Sequence, residues 1–420
     1  MTPEKTPERT LLLIGHQTST VRKAKALGLA VILLQHRSKF EPEQAELADV
    51  LLLADYTDPS VARPLIEAAH RAWGFSAAVS LTEPGLEVAG WANDRFGLGG
   101  TGFAASHRLR DKWEMRRHLA GSGAKTIGAS LVRDRDSLAA FGAAHGYPFI
   151  VKPTDVAGGF GVFRVGGAAE VDDAWDRVQR VRRTGVDRGP TDLFRIGEFI
   201  MEEYVSGPEY SVEAFSFGGR HVVIAVTEKL VDEAHFAELG HALPARLDLG
   251  AEQEIVAAVT AFLDVIGIAD GPSHTEVRVG RDGPVVIESH NRIGGDHIDE
   301  LVEAAYGVDM AAYAVGWPFG LVEELAGRPR PLAGACVRFV HTGAGRIEGV
   351  EGVETVRARP DVLIAQVTAS AGDVVRPLAD NWDRLGLVAV RGSDTDAAVR
   401  LCEDLVANSV NIRLRPAARV

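Results

Sequence analysis

The segment SHTEVRVGRDGPVVIESH, residues 273–290, carries many ionisable side chains for so apolar a stretch. A tight hairpin about Asp282 sets Glu276 opposite Glu288 and His274 opposite His290. Strand alternation then places His274, Glu276, Arg278, Glu288 and His290 on one face, and Val277, Val279, Val285 and Ile287 on the other. Two directly opposed carboxylates have Cβ atoms about 4.5–5.5 Å apart and repel unless a cation intervenes. Mg²⁺, which takes oxygen ligands from one or two carboxylates and from substrate phosphates, meets that need. The competing reading is a solvated outer face with two ordinary glutamates, and the clustering of Arg278 with both histidines disfavours it.

Two further segments belong to the same kind of chemistry. In PFIVKPTDVAGGFGVFRV a strand ending near Lys152 runs into Gly158, Gly159 and Gly161 and then into another strand. Glycines let backbone N–H groups approach phosphate oxygens, although the GK[ST] ending of a Walker loop is missing. By itself this is a weak signal, and a plain flexible turn explains it as well. In FIMEEYVSGPEYSVE, the acidic pair Glu202-Glu203 ends an apolar strand, with Val205 and Glu209 just beyond. Such a segment offers backbone atoms to an adenine and carboxylates to ribose hydroxyls, but an ordinary strand with exposed acids fits equally.

These residues need a scaffold, and the rest of the chain supplies its outline. The 420 residues suggest two to three domains. Apolar residues at 46% and charged ones at 25% suit a globular protein with a large core. The formal net charge of −13 opposes binding to nucleic acid or an anionic membrane. Cys336 and Cys402 have no metal-type spacing, which fits a reducing cytoplasm. No secretory signal and no apolar run of membrane-spanning length is read. From Thr10 to about Ser80, strand-like runs alternate with helical ones, a βαβ pattern with a parallel sheet. Its first strand ends in Gly15-His16-Gln17 without a dinucleotide fingerprint. One helical stretch is expected from His107 to Gly121, a hairpin at Gly218-Gly219, a helix from about Ala251 to Ile266, and a last helix capped by Ser393.

Taken in order, Lys112 in a DKxxM-like helix, Lys152 in VKP, the glycine loop, MEEYVxGxEYSVE, Lys229 in TEK, Glu276 and ESHNRIGG resemble the ATP-grasp carboxylate-amine ligases. FAELGHALPA, SHTEVRV and GDVVRPLADNWDRLG make the chain most similar to the L-amino acid (dipeptide) ligase branch. The resemblance implies an α/β protein. A Rossmann-like half-domain would take residues 1–105, and a two-sheet ATP-grasp domain residues 106–330, with a lid subdomain at about 125–205. A C-terminal α/β closing domain would take residues 331–420. It implies ATP and Mg²⁺ as cofactors, with Mn²⁺ an acceptable substitute, and small-molecule partners, a carboxylate and an amine of amino-acid type. A homodimer is compatible with it.

The family pattern assigns Lys112 and Lys152 to phosphates, Glu202, Glu203 and Val205 to adenine, Glu209 to ribose and Lys229 to the terminal phosphate. Glu276 and Glu288 match its metal carboxylates. Where the family has Asn two residues after the second Glu, this chain has His290, with Asn291 one place later; the shared strand face favours His290. Arg292 has the planar fork that holds a carboxylate or acyl phosphate, with Asp296 or Asp299 as alternative surface partners. Gly294 and Gly295 allow close approach. Glu238 or Asp296 is assigned to a substrate ammonium, and His274 and Arg278 to the substrate side. The activity so implied is amide formation through an acyl phosphate with release of ADP. The alternatives are a carboxylase activating bicarbonate and a nucleotide-binding protein without turnover.

Overall fold

The computed structural model describes residues 9–185, 193–194 and 196–416. Strands β1 (Thr10–Ile14), β2 (Ala30–Gln35), β3 (Val50–Leu53) and β4 (Ala77–Val79) form a parallel sheet in the order β3-β2-β1-β4. Apolar cores cover both of its faces, as the continuous runs TLLLI and AVILLQ require. After β4 a short 3-10 turn, Glu83–Gly85, carries the chain toward the rest of the molecule.

The expected helix from His107 to Gly121 is two helices, Phe103–Arg110 and Lys112–Gly121, broken at an extended Asp111. The Asp111 carboxylate accepts from the Trp113 and Glu114 amides at 2.8 and 3.1 Å, which starts the second helix at Lys112. Sequence periodicity cannot show this break, because the apolar spacing continues across it.

Four antiparallel strands, β5 (Ala129–Leu131), β6 (Phe149–Pro153), β7 (Phe163–Val165) and β8 (Phe199–Glu203), form a smaller sheet in the order β5-β8-β6-β7. The glycine loop joins β6 to β7, and helices Arg135–His145 and Val171–Thr184 pack on the outer face. The largest sheet contains β9 (Glu209–Phe217), β10 (Arg220–Asp232), β11 (Ala237–Leu243), β12 (Gly271–Gly280), β13 (Gly283–His290) and β14 (Gly334–Val340). Strands β15 (Gly345–Glu351), β17 (Val374–Val375) and β19 (Asn411–Pro416) form a third antiparallel group, and β16 (Val362–Val367) and β18 (Gly386–Gly392) extend the large sheet to the order β13-β12-β9-β10-β11-β14-β18-β16. The C-terminal segment is thus part of the same sheet as the central strands. Its helix, Thr395–Asn408, is capped by Asp394, which accepts from the Ala397 amide, and not by Ser393. Both residue types cap well, so only the turn geometry decides between them. No helix among the described residues is long and apolar enough to cross a membrane.

The β12–β13 hairpin pairs His274 with His290 and Glu276 with Glu288. Below that point a bulge shifts the register, so Val277 pairs with Val286 and Arg278 with Val285. Val277 and Val286 lie in the core under helix Leu249–Ile266, whereas Ile287 lines the cavity and Val285 faces the Arg278 side, half-buried. The assignment of Val285 and Ile287 to the core face is therefore corrected: one extra residue on β13 turns both over.

Val277→Asp buries an unpaired charge and is expected to cost more than about 3 kcal/mol of stability. Val285→Asp should cost much less, and thermal denaturation of the two variants checks the register.

Candidate active site

A cavity of about 360 Å³ separates the smaller sheet from the large one. Its floor is a polar row that runs across β13, β12, β9, β10 and β11, because directly paired residues share a face. His274 lies opposite Glu213, Glu276 opposite Ser211, and Arg278 opposite Glu209, while Lys229 pairs with His241. The charges in that row are buried or half-buried, and each needs a partner.

Lys229 meets three acids at once: Glu276 at 2.5 Å, Glu238 at 2.7 Å and Glu209 at 2.9 Å. Burial lowers its pKa, but Glu238, Glu276 and Glu209 together raise it well above the ordinary lysine value. Burial pushes the Glu276 carboxyl up, yet Lys229 and His274 hold it well below the usual carboxylate range. Glu288 is lowered in the same way against burial, chiefly by Lys112, whose Nζ is 3.1 Å away, and by His290. His274 Nδ1 lies 3.0 Å from both Glu213 oxygens, to which it donates; burial lowers its pKa, but Glu213 and Glu276 raise it to about 9. Glu213 was not singled out from sequence, although an acid inside the apolar run EYSVEAFSF is a usable signal.

His290 Nε2 lies 3.3 Å from Glu288 Oε1, and burial lowers its pKa, leaving the neutral ring that ligates metals. Its Nδ1 is buried without a hydrogen-bond partner among the described residues. Asn291 instead donates to Ser106 Oγ at 3.0 Å and lines a separate, smaller cavity. Glu276 and Glu288 face each other across the hairpin with His290 beside Glu288, which are oxygen and nitrogen donors of the kinds a divalent cation takes. Among the described residues, Glu238, His241 and Asp296 bring ligand atoms within 4.8 Å of one another; Lys229 and Arg384 pair with these acids, as Lys229 and Lys112 do with Glu276 and Glu288.

The opposite wall comes from the smaller sheet. Lys152 is only 4% exposed and bonds Glu202 at 2.7 Å. Burial pushes the Glu202 carboxyl up, but Arg116 and Lys152 bring it down to about 2. With its side chain so engaged, Glu202 has only its backbone for a ligand. Glu203 bonds the Gly128 amide and His145, and Val205 and Tyr204 line the cavity. Arg278 bonds Glu209 at 2.9 Å, Glu233 at 3.0 Å and the Val205 carbonyl at 3.2 Å, so it braces the wall from the floor. Gly158, Gly159 and Gly161 all have φ near +71°, which favours glycine. A Cβ on Gly158 would meet the Trp382 ring at 3.6 Å.

Arg292 pairs with neither Asp296 nor Asp299. It contacts Glu83 Oε2 at 3.3 Å, a buried acid delivered by the turn after β4. Asp296, at φ +56, is held by Arg384 in a two-point pair at 2.7 and 2.8 Å. Asn381 receives the Glu238 amide and donates to Glu238 Oε2 at 3.0 Å. Gly295 lines the cavity, and Gly294 leaves no room for a Cβ beside Ile298 and Glu213. Glu83, Asn381 and Arg384 escaped sequence reasoning because each reaches the site from a distant part of the chain, and Arg116, one turn after Lys112, because its partners on β8 and β13 are distant.

Residues 145–300 match the ATP-grasp domain, residues 21–100 the ATP-grasp N-terminal domain, and residues 338–415 the L-amino acid ligase C-terminal domain 2. The chain is 29% identical over 253 residues to alanine–anticapsin ligase of Bacillus subtilis strain 168, covering 56% of this chain and 53% of that protein. It is 22% identical over 278 residues to an L-arginine-specific L-amino acid ligase of Bacillus subtilis, covering 65% of each. The chain spans about half the length of the first curated relatives it matches. A crystal structure of L-amino acid ligase from Bacillus licheniformis superposes with a TM-score of 0.80 at 22% identity, over 97% of this chain and 99% of that one. That likeness establishes the ATP-grasp fold.

His290→Ala should weaken Mn²⁺ binding to the nucleotide complex by about tenfold, His290→Asn should be tolerated, and Asn291→Ala should leave binding unchanged. Electron paramagnetic titration of Mn²⁺ with a non-hydrolysable ATP analogue reads all three.

Proposed function

We propose that this ATP-grasp protein, which carries the C-terminal domain of the L-amino acid ligases, joins the carboxylate of one amino acid to the amine of another and releases ADP and phosphate. The observation that carries the reading is the opposed pair Glu276 and Glu288 on the cavity floor, flanked by Lys112, Lys229 and Arg292. Glu276, Glu288 and His290 would hold Mg²⁺, which when bound neutralises phosphate charge.

The chain's own residues supply positioning and electrostatics. Val205 and the Glu202 backbone receive adenine, Glu209 the ribose, and Lys112 and Lys152 the phosphates. A substrate carboxylate oxygen attacks the γ-phosphorus, ADP leaves, and the amine then attacks the acyl carbon with loss of phosphate. Lys229 offsets charge at the transferring group, and Arg292 holds the acyl phosphate with its planar fork. Glycines 158, 159 and 161 close over the phosphates and exclude water from the acyl phosphate.

The C-terminal segment distinguishes this reading from bicarbonate activation. Asn381, Trp382 and Arg384 all line the cavity, from a part of the chain that matches the L-amino acid ligase domain. Glu238 and Asp296, which those residues hold, face a substrate ammonium, with His274 on the substrate side.

Turnover should yield ADP and orthophosphate in step with amide, and AMP with pyrophosphate as products would contradict this. Glu276→Gln and Glu288→Gln should abolish ligation in a folded protein; near-normal rates at saturating Mg²⁺ would return that face to an ordinary polar surface. Arg292→Lys should lower kcat/KM for the carboxylate substrate by about 10²-fold, or about 2.7 kcal/mol, with ATP affinity much less changed. Steady-state ADP release with both substrates varied, beside calorimetry of nucleotide binding, gives both numbers.

A further inference from the structure

Arg116 is 2% exposed and lies between the two walls of the cavity. Its Nε donates to Glu202 Oε1 on β8 at 2.6 Å. Its two Nη atoms donate to consecutive main-chain carbonyls on β13, Val286 at 2.8 Å and Ile287 at 2.9 Å. Those carbonyls sit at the bulge, the irregularity that restores the face-to-face register of Glu276 and Glu288. The other Glu202 oxygen bonds Lys152 at 2.7 Å. A continuous chain of bonds thus runs from Lys152 through Glu202 and Arg116 to the residue next to Glu288.

A buried carbonyl without a donor is costly, and a bulge disturbs the ladder that would supply one. Only a planar fork with donors on two edges serves both a carboxylate and a pair of adjacent carbonyls; a lysine ammonium serves one or the other. We propose that Arg116 is a positioning residue that clamps the β13 bulge to the smaller sheet, so that the spacing of the Glu276–Glu288 pair and the position of that sheet form one coupled equilibrium. The inference rests on the metal-nucleotide reading of the site. Its consequence is reciprocal: whatever tightens the cation at the carboxylates also tightens the smaller sheet over the nucleotide.

Arg116→Lys keeps a cation beside Glu202 but gives up the double bond to the carbonyls. Mn²⁺ affinity for the complex with a non-hydrolysable ATP analogue, read by electron paramagnetic titration, should fall at least about tenfold. Metal-free binding of the analogue, read by calorimetry, should stay within about twofold. A purely structural tie would lower both together or neither. If the wild-type protein takes up no Mn²⁺ with the analogue, the metal-nucleotide reading itself fails. If the wild type does, and a folded Arg116→Lys binds it as tightly, the clamp is overturned. Should Arg116→Lys not fold, Arg116→Gln, whose amide can still donate to one β13 carbonyl and which leaves Glu202 paired with Lys152, is expected to fold with the same selective loss. Wild-type Mn²⁺ affinity in that variant, or its failure to fold, would also overturn the clamp.

Discussion

Two half-buried carboxylates set face to face define the terms for the whole site. Opposed on paired strands, Glu276 and Glu288 repel unless cations stand beside them. The fold meets that repulsion with Lys229 on one acid, Lys112 on the other, and His274 behind Glu276 backed by Glu213. Each of those cations comes from a different element, so the pair can exist only when β10, β12, β13 and the helix beginning at Lys112 are all in place. The Asp111 cap and the β13 bulge belong to the same requirement.

The same charges that stabilise the pair are those a polyphosphate needs. Lys112, Lys152 and Lys229 all line the cavity while bonded to acids. In the proposed reading, a ligand bringing its own negative charge and a divalent cation would exchange these partners and keep the lysines paired throughout. Strands β14, β18 and β16 continue the large sheet, which lets the turn at Asn381–Asp383 and Arg384 reach Glu238 and Asp296. The non-glycine left-handed backbone at Asp296, a conformation that costs about 1–3 kcal/mol, is held by that two-point arginine contact.

Much of this was legible in the sequence for a specific reason. Alternation about Asp282 placed Glu276 against Glu288 and His274 against His290, as the structure has them, but the turn is one residue tighter and the bulge restores those pairs. The parallel N-terminal sheet followed from its alternating runs. What failed was anything depending on a single inserted residue or a distant partner. Val285, Val286 and Ile287 are all apolar, so the bulge that sorts them leaves no mark in composition. Ser393 and Asp394 are adjacent and cap equally well. Arg116 stands in DKWEMRRHL among other surface-like charges, and nothing local says that it reaches β13 and β8. Arg384 and Glu83 are likewise defined only by where the chain returns.

The central claim is that the site transfers a phosphoryl group to a substrate carboxylate, and oxygen labelling tests it most directly. With the acid substrate carrying ¹⁸O in both carboxylate oxygens, the account predicts one ¹⁸O in each orthophosphate released and one retained in the amide. Unlabelled phosphate, or label recovered in AMP, would contradict it.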